Sequence, residues 1–247
     1  MEPLPRFLAS LGKSELKPGG SYGTQALIRL LDLRGGQHCL IVGPSSAPTA
    51  LYVSMTTQAT TEALVRTEAE KVTENDPGLK RRSTARVGQA EALPFADAHF
   101  DVAIIEATLA EMPAQQRAAA LKEVARVLKP GGRIGVHELC WRQPPTPERN
   151  VALQAAWGGD VYPQVVSGWW EALESAGFSD IANEVAVMTL LSRKGMATDE
   201  SEQANEVFHN AFEKPEALAR FTAAYREFCD YKRYYGVILA TGTKPKR

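Results

Sequence analysis

The chain has 247 residues, 44% hydrophobic and 23% charged, with a formal net charge of -1; it can bury a full core without covalent staples. That charge balance gives no basis for a nucleic-acid or acidic-membrane partner. No apolar run approaches the roughly 18 residues of a membrane span, no signal-peptide pattern is present, and Cys39, Cys140 and Cys229 make no metal-ligand spacing, so a cytoplasmic protein without a metal site is expected.

Residues 1–20 carry no clear pattern and end in the breaker Pro18-Gly19-Gly20. Leu27, Leu30 and Leu31 share one helical face, which predicts a helix over 24–33 that Gly35 and Gly36 stop. His38 to Gly43 is a short apolar run and predicts the first buried strand. Leu51 to Met55 reads as a weaker second strand and Thr60 to Asn75 as a helix; a helix over 47–57 in place of that strand is the alternative. Strands are predicted at 82–87, 100–106 and 133–139, with an alanine-rich helix over 114–128 that Pro130-Gly131-Gly132 terminates. Residues 141–165 look irregular. A helix over 166–176, a strand over 183–191, a helical insertion over 200–231 and a last strand over 237–243 complete the pattern. Strands alternating with helices predict a parallel sheet covered on both faces.

Three stretches stand in a telling order: Leu93-Pro94-Phe95, then Phe100-Asp101-Val102, then Val127-Leu128-Lys129-Pro130-Gly131-Gly132. Together they resemble the class I S-adenosylmethionine (SAM) methyltransferases, over roughly residues 18–180 and more loosely over 237–245. Glu174-Ser175-Ala176-Gly177-Phe178 and Gly236 to Pro245 resemble the small-molecule branch, which includes quinone and arsenite methyltransferases. The resemblance implies an α/β fold: a Rossmann-like, seven-stranded, mostly parallel sheet with helices on both faces, an antiparallel last strand and helical lid insertions. It also implies one domain over 1–247, with a helical cap at 1–33, a cofactor-binding half at 34–140 and a substrate half at 141–247 that carries the insertion at about 198–233.

In that family the first strand ends in an acidic residue followed by Gly-x-Gly. The matching stretch here is degraded: Ile41 or Val42 takes the acidic position, followed by Gly43-Pro44-Ser45-Ser46. Pro44 removes one backbone donor. By the resemblance, Gly43, Ser45, Ser46, Ser54, Gln89 and Ala90 would touch SAM. Ser54 would take the place of the carboxylate that accepts from the ribose hydroxyls, and Gln89 that of the acceptor for the adenine amino group. If 38–43 and 51–55 are parallel neighbours, only residues 44–50 cross between them, too few for the usual helix. Glu106 and His137 are the acid–base candidates, with Glu111 nearby. Trp141, Trp157, Tyr162, Trp169 and Trp170 are candidates for an apolar substrate wall. Two functions are chiefly compatible with these residues, beside another reaction or another ligand on the same scaffold. One is methyl transfer from SAM to a small, apolar molecule. The other is an inactive methyltransferase-fold protein that no longer binds SAM and serves as a binding or regulatory module.

Overall fold

The computed structural model describes residues 2–13, 16–71, 76–191, 207 and 209–246. One sheet organises them. Its strands are β1 (His38–Val42), β2 (Thr60–Val65), β3 (Ser83–Val87), β4 (Phe100–Glu106), β5 (Leu128–Trp141), β6 (Gln164–Val165), β7 (Ser179–Ala186) and β8 (Tyr235–Thr243). They lie in the order β3-β2-β1-β4-β5-β8-β7, and the two-residue β6 pairs with β5. Pairs among β1 to β5 are parallel, while β8 runs antiparallel to both β5 and β7. The expected Rossmann-like sheet with an antiparallel last strand is therefore present, with β6 as an addition. The strand order reverses between β1 and β4, which makes the carboxyl ends of these strands the natural ligand crevice.

The expected second strand is a helix. Leu51 to Met55 lies inside α3 (Ser46–Thr57), and the strand follows at β2. Threonines and Val53 lower the helix propensity of this stretch. Its threonines nonetheless fit, because Thr56 Oγ1 and Thr57 Oγ1 donate to the carbonyls of Tyr52 and Val53 four residues back. In β2 every residue after Thr60 is buried, so the strand has no alternation to mark it. The crossover from β1 to β2 is thus a full helix, and the bare seven-residue connection disappears. Residues 60–70 hold β2 and a short turn at Glu68–Glu70 in place of the expected helix.

Other boundaries move less. An additional helix, α1 (Leu4–Ser10), precedes α2 (Gly20–Leu30), which begins four residues before the expected start. A short α4 (Pro77–Arg82) leads into β3, and α5 (Ala114–Val127) ends where β5 begins. The register jumps from Phe100↔Leu128 to Val102↔Arg133, so Pro130-Gly131-Gly132 bulges out of β5, with Gly131 at φ +77°. The stretch read as irregular contains α6 (Pro147–Trp157), with Pro147 at its first position and Thr146 capping it. Next comes α7 (Val166–Ser175), and β7 starts at Ser179 rather than at 183. Within the helical insertion, 207 and 209–212 are helical and α8 spans Pro215–Asp230; 200–206 and 208 lie outside the described residues. Separate hydrophobic clusters pack on the two faces of the sheet, one around Leu40, Phe100 and Val136, the other around Ile41, Val53 and Ile104. Among the described residues no helix is long and apolar enough to cross a membrane.

Candidate functional site

A cavity of about 650 Å³ opens over the carboxyl ends of β1 to β4, within the usual size range of small-molecule sites. The strand ends supply Val42 and Gly43, Leu64 and Arg66, Gly88 to Glu91, and Ala107 and Thr108; α1 and its flanks close it with Pro3, Pro5, Arg6 and Ala9.

Gly43 is where β1 leaves the sheet. Its φ is +148°, and a Cβ there would lie 2.3 Å from the Glu106 carbonyl oxygen, so the exit from β1 can pass β4 only as glycine. Ser45 then adopts φ 61°, ψ 27°, a left-handed turn that favours glycine, and the chain enters α3. Gly43 and Ser45, the two positions that match the family's glycines, thus both take positive φ. Ser46 Oγ donates to the Leu64 carbonyl and ties the first turn of α3 to the end of β2. Ser54 is fully buried in α3, and its hydroxyl donates to the Ala59 carbonyl.

Of the six cofactor candidates, Gly43, Gln89 and Ala90 line the cavity. Ser45, Ser46 and Ser54 are absent from the described lining. Because the second strand is β2, the position after it belongs to Arg66 and not to Ser54. Arg66 donates from its backbone N–H to Glu70 Oε2 at 2.9 Å and from Nε to Oε1 at 3.3 Å. Misplacing that strand hid Arg66 from the sequence reading. Arg6 was missed because nothing local marks a residue of α1 as part of a cavity.

Glu111 also lines the cavity, and Trp157 Nε1 donates to its Oε1 at 3.2 Å. Burial raises its pKa, while Trp157, Arg66 and Arg6 oppose the rise. The turn that carries it is held from beneath. Glu138 on β5 accepts backbone N–H bonds from Thr108 and Leu109, both 2.8 Å, and Ala110, 3.2 Å. Burial pushes the Glu138 carboxyl up to about 8 against these three donors.

Glu106 and His137 are neighbours across β4 and β5, but they lie beneath the cavity and outside its lining. His137 Nδ1 is 2.9 Å from Glu106 Oε1, and the Gly19 N–H donates to His137 Nε2 at 3.0 Å. Nε2 is therefore the acceptor, and the ring proton sits on Nδ1, facing the carboxylate. Thr24 Oγ1 donates to the same Oε1 at 2.6 Å, and Lys17 Nζ lies 3.5 Å from Oε2 and 3.1 Å from Thr49 Oγ1. Burial alone would raise the Glu106 carboxyl, yet Lys17, His137 and Thr24 hold it down to about 2. Both ring nitrogens and both carboxylate oxygens are engaged, which joins the start of α2 to the sheet.

The aromatic candidates disperse. Trp141 packs on Tyr235, Trp157 on Phe228, and Trp169 is buried beneath Arg117. Trp170 Nε1 donates to Asn183 at the surface, and the Tyr162 backbone pairs with Ala110 and Arg117. Only Trp157 reaches a cavity residue, through Glu111.

A family profile described as a methyltransferase domain matches residues 40–136, from β1 through most of β5. An uncharacterized protein of Haemophilus influenzae is 31% identical over 238 residues, 91% of this chain and 91% of that protein. Methyltransferase GfsG of Streptomyces halstedii is 27% identical over 247 residues, 93% of this chain and 82% of its own. The crystal structure of the 4+2 cyclase SpnF superposes with a TM-score of 0.70 at 24% identity, covering 95% of this chain and 85% of that one. That last likeness concerns the fold, which by itself does not name a reaction. The sheet order, the crevice at the ends of β1 to β4, the matched domain and the near full-length kinship lead to one conclusion: the chain belongs to the class I SAM-dependent methyltransferase family.

Proposed function

We propose that the cavity holds SAM and that the protein transfers its methyl group to a small, apolar molecule. One observation carries this reading: Gly43 and Ser45 both turn through positive φ at the rim of the cavity, as a glycine loop would, and lead into a full α3. Three of the expected contacts, Gly43, Gln89 and Ala90, belong to the lining. Gly43 lets the backbone approach the ligand, and Gln89 offers an amide acceptor for an adenine amino group. Arg6 suits a ligand carboxylate, and Glu91 and Glu111 suit its cationic centres. Bound SAM supplies an electrophilic methyl on a sulfonium. The chain's own contribution is positioning and exclusion of water by α1, which is what in-line methyl transfer chiefly needs.

A second reading is a methyltransferase-fold module that no longer binds SAM. It is favoured by the Arg66–Glu70 ion pair at the end of β2, where the family places its ribose-accepting carboxylate, and by Pro44 in the loop. Calorimetry with SAM and S-adenosylhomocysteine separates the two. The first reading expects saturable binding at a single site, tightened about 10-fold or more in Arg66→Asp, which restores an acceptor for the ribose. No heat and no thermal shift at millimolar ligand, in the wild type and in Arg66→Asp alike, sinks the first reading and leaves the second.

A further inference from the structure

At the amino ends of the strands, opposite the cavity, three side chains from three strands converge. His38 opens β1, Glu62 is the third residue of β2, and His99 immediately precedes β4. Glu62 is in register with Leu40, so it shares a sheet face with Leu40 and His38. His38 Nε2 lies 3.0 Å and His99 Nε2 3.1 Å from the same oxygen, Glu62 Oε1. The other oxygen, Oε2, faces Arg86 Nε at 3.3 Å. The three candidate ligand atoms lie within 4.8 Å of one another.

The rings are held in place. The His38 and His99 centroids are 4.6 Å apart, and each ring abuts Phe100, at 4.6 and 4.7 Å. Phe95 stacks on the outer side of His99. His38 Nε2 is buried and, despite its distance to Oε1, makes no aligned hydrogen bond. A buried polar atom without a hydrogen bond is uncommon and calls for a partner. Ligand bonds of about 2.1 Å set cis ligand separations of about 3.0 Å in octahedral and about 3.4 Å in tetrahedral geometry. The two nitrogen-to-oxygen separations fall at the octahedral value. The His99 side chain is 38% exposed, so the site borders solvent on that side.

We propose that His38, Glu62 and His99 form a binding site for a late first-row divalent metal of the zinc class, with two Nε2 atoms and Oε1 as ligands. Two imidazoles and one carboxylate are the donor set that such ions take. The ion would clamp β2, β1 and β4 at the rim away from the cavity. This proposal is independent of SAM binding and departs from the sequence expectation of no metal site.

The test is calorimetric titration of the full, tag-free chain with Zn2+, with Co2+ as a spectroscopic probe and thermal melting in parallel. The expected result is uptake of a single equivalent, a raised melting temperature and a Co2+ absorption spectrum of nitrogen and oxygen ligation. His99→Gln and Glu62→Gln should each weaken binding about 10-fold or more, while melting in EDTA verifies that they fold. His209→Ala, which removes an exposed imidazole paired with Glu213, should leave binding unchanged. No saturable uptake by the wild type at about 100 µM Zn2+ would overturn the proposal. So would equal affinity in the wild type and the folded His99→Gln and Glu62→Gln variants.

Discussion

Glu106 and Glu111 stand five residues apart at the end of β4, and the fold treats them in opposite ways. Glu106 is sealed beneath the strand ends, where Lys17, His137 and Thr24 hold its charge. Glu111 borders the cavity with Trp157 as its donor, and burial raises its pKa. A carboxyl that is fully hydrogen-bonded and ion-paired organises structure; one that is half-desolvated beside a cavity is free to meet a ligand. The residue at the strand end proper is the structural one, and the residue on the following turn is the one the cavity reaches.

The comparison breaks most sharply at the sealed group. Glu106→Gln removes the carboxylate facing Lys17 and should cost about 3–5 kcal/mol in urea unfolding. If the loss is under about 1 kcal/mol, Glu106 is no structural anchor. The same carboxyl sets an acid limb. Its folded pKa of about 2 lies below the ordinary 4.5, so its stabilisation is present above pH 4.5 and fades as pH falls toward 2. That contribution is about 3 kcal/mol, and the wild-type and Glu106→Gln stability curves should converge across this window. Gly23→Ala tests the packing of the same knot. A Cβ there would sit 2.3 Å from the His137 ring, which is fully buried, and about 1–3 kcal/mol should be lost.

At the cavity and in the loop that leads from it into α3 the expected effects are smaller or reversed. Ser45→Gly relieves a left-handed residue and should raise stability by about 0.5–1 kcal/mol in thermal unfolding. A decrease would mean that the serine side chain matters more than its backbone. Glu111→Gln keeps an oxygen for Trp157 and should change stability by less than about 0.5 kcal/mol. Its effect should appear in ligand affinity or turnover, and unchanged values for both would remove Glu111 from the site.

Much of this was legible in the residues. Leu93-Pro94-Phe95, Phe100-Asp101-Val102 and Lys129-Pro130-Gly131-Gly132 mark turns and strand edges whose chemistry is local, and the sheet they imply is present. The run from Ser46 to Val65 was misread because local signals point the wrong way: threonines and valine suggest a strand where a helix forms, and a uniformly buried strand shows no alternation. That single shift moved the residue read as ending the second strand from Arg66 to Ser54. Gly43, Gln89 and Ala90 line the cavity, as residues within three positions of the ends of strands that were placed correctly.

By itself the sequence determined the family, the mostly parallel sheet with its antiparallel last strand and the substituted glycine loop, since each rests on residues close together in the chain. The tertiary structure alone decided that Glu106 and His137 are buried in a knot with Lys17 and Gly19, that Arg6 and Glu111 share a cavity, and that His38, Glu62 and His99 meet on one rim. These groupings join residues tens of positions apart. No local propensity or spacing records which side chains strand pairing and helix docking bring within hydrogen-bond distance.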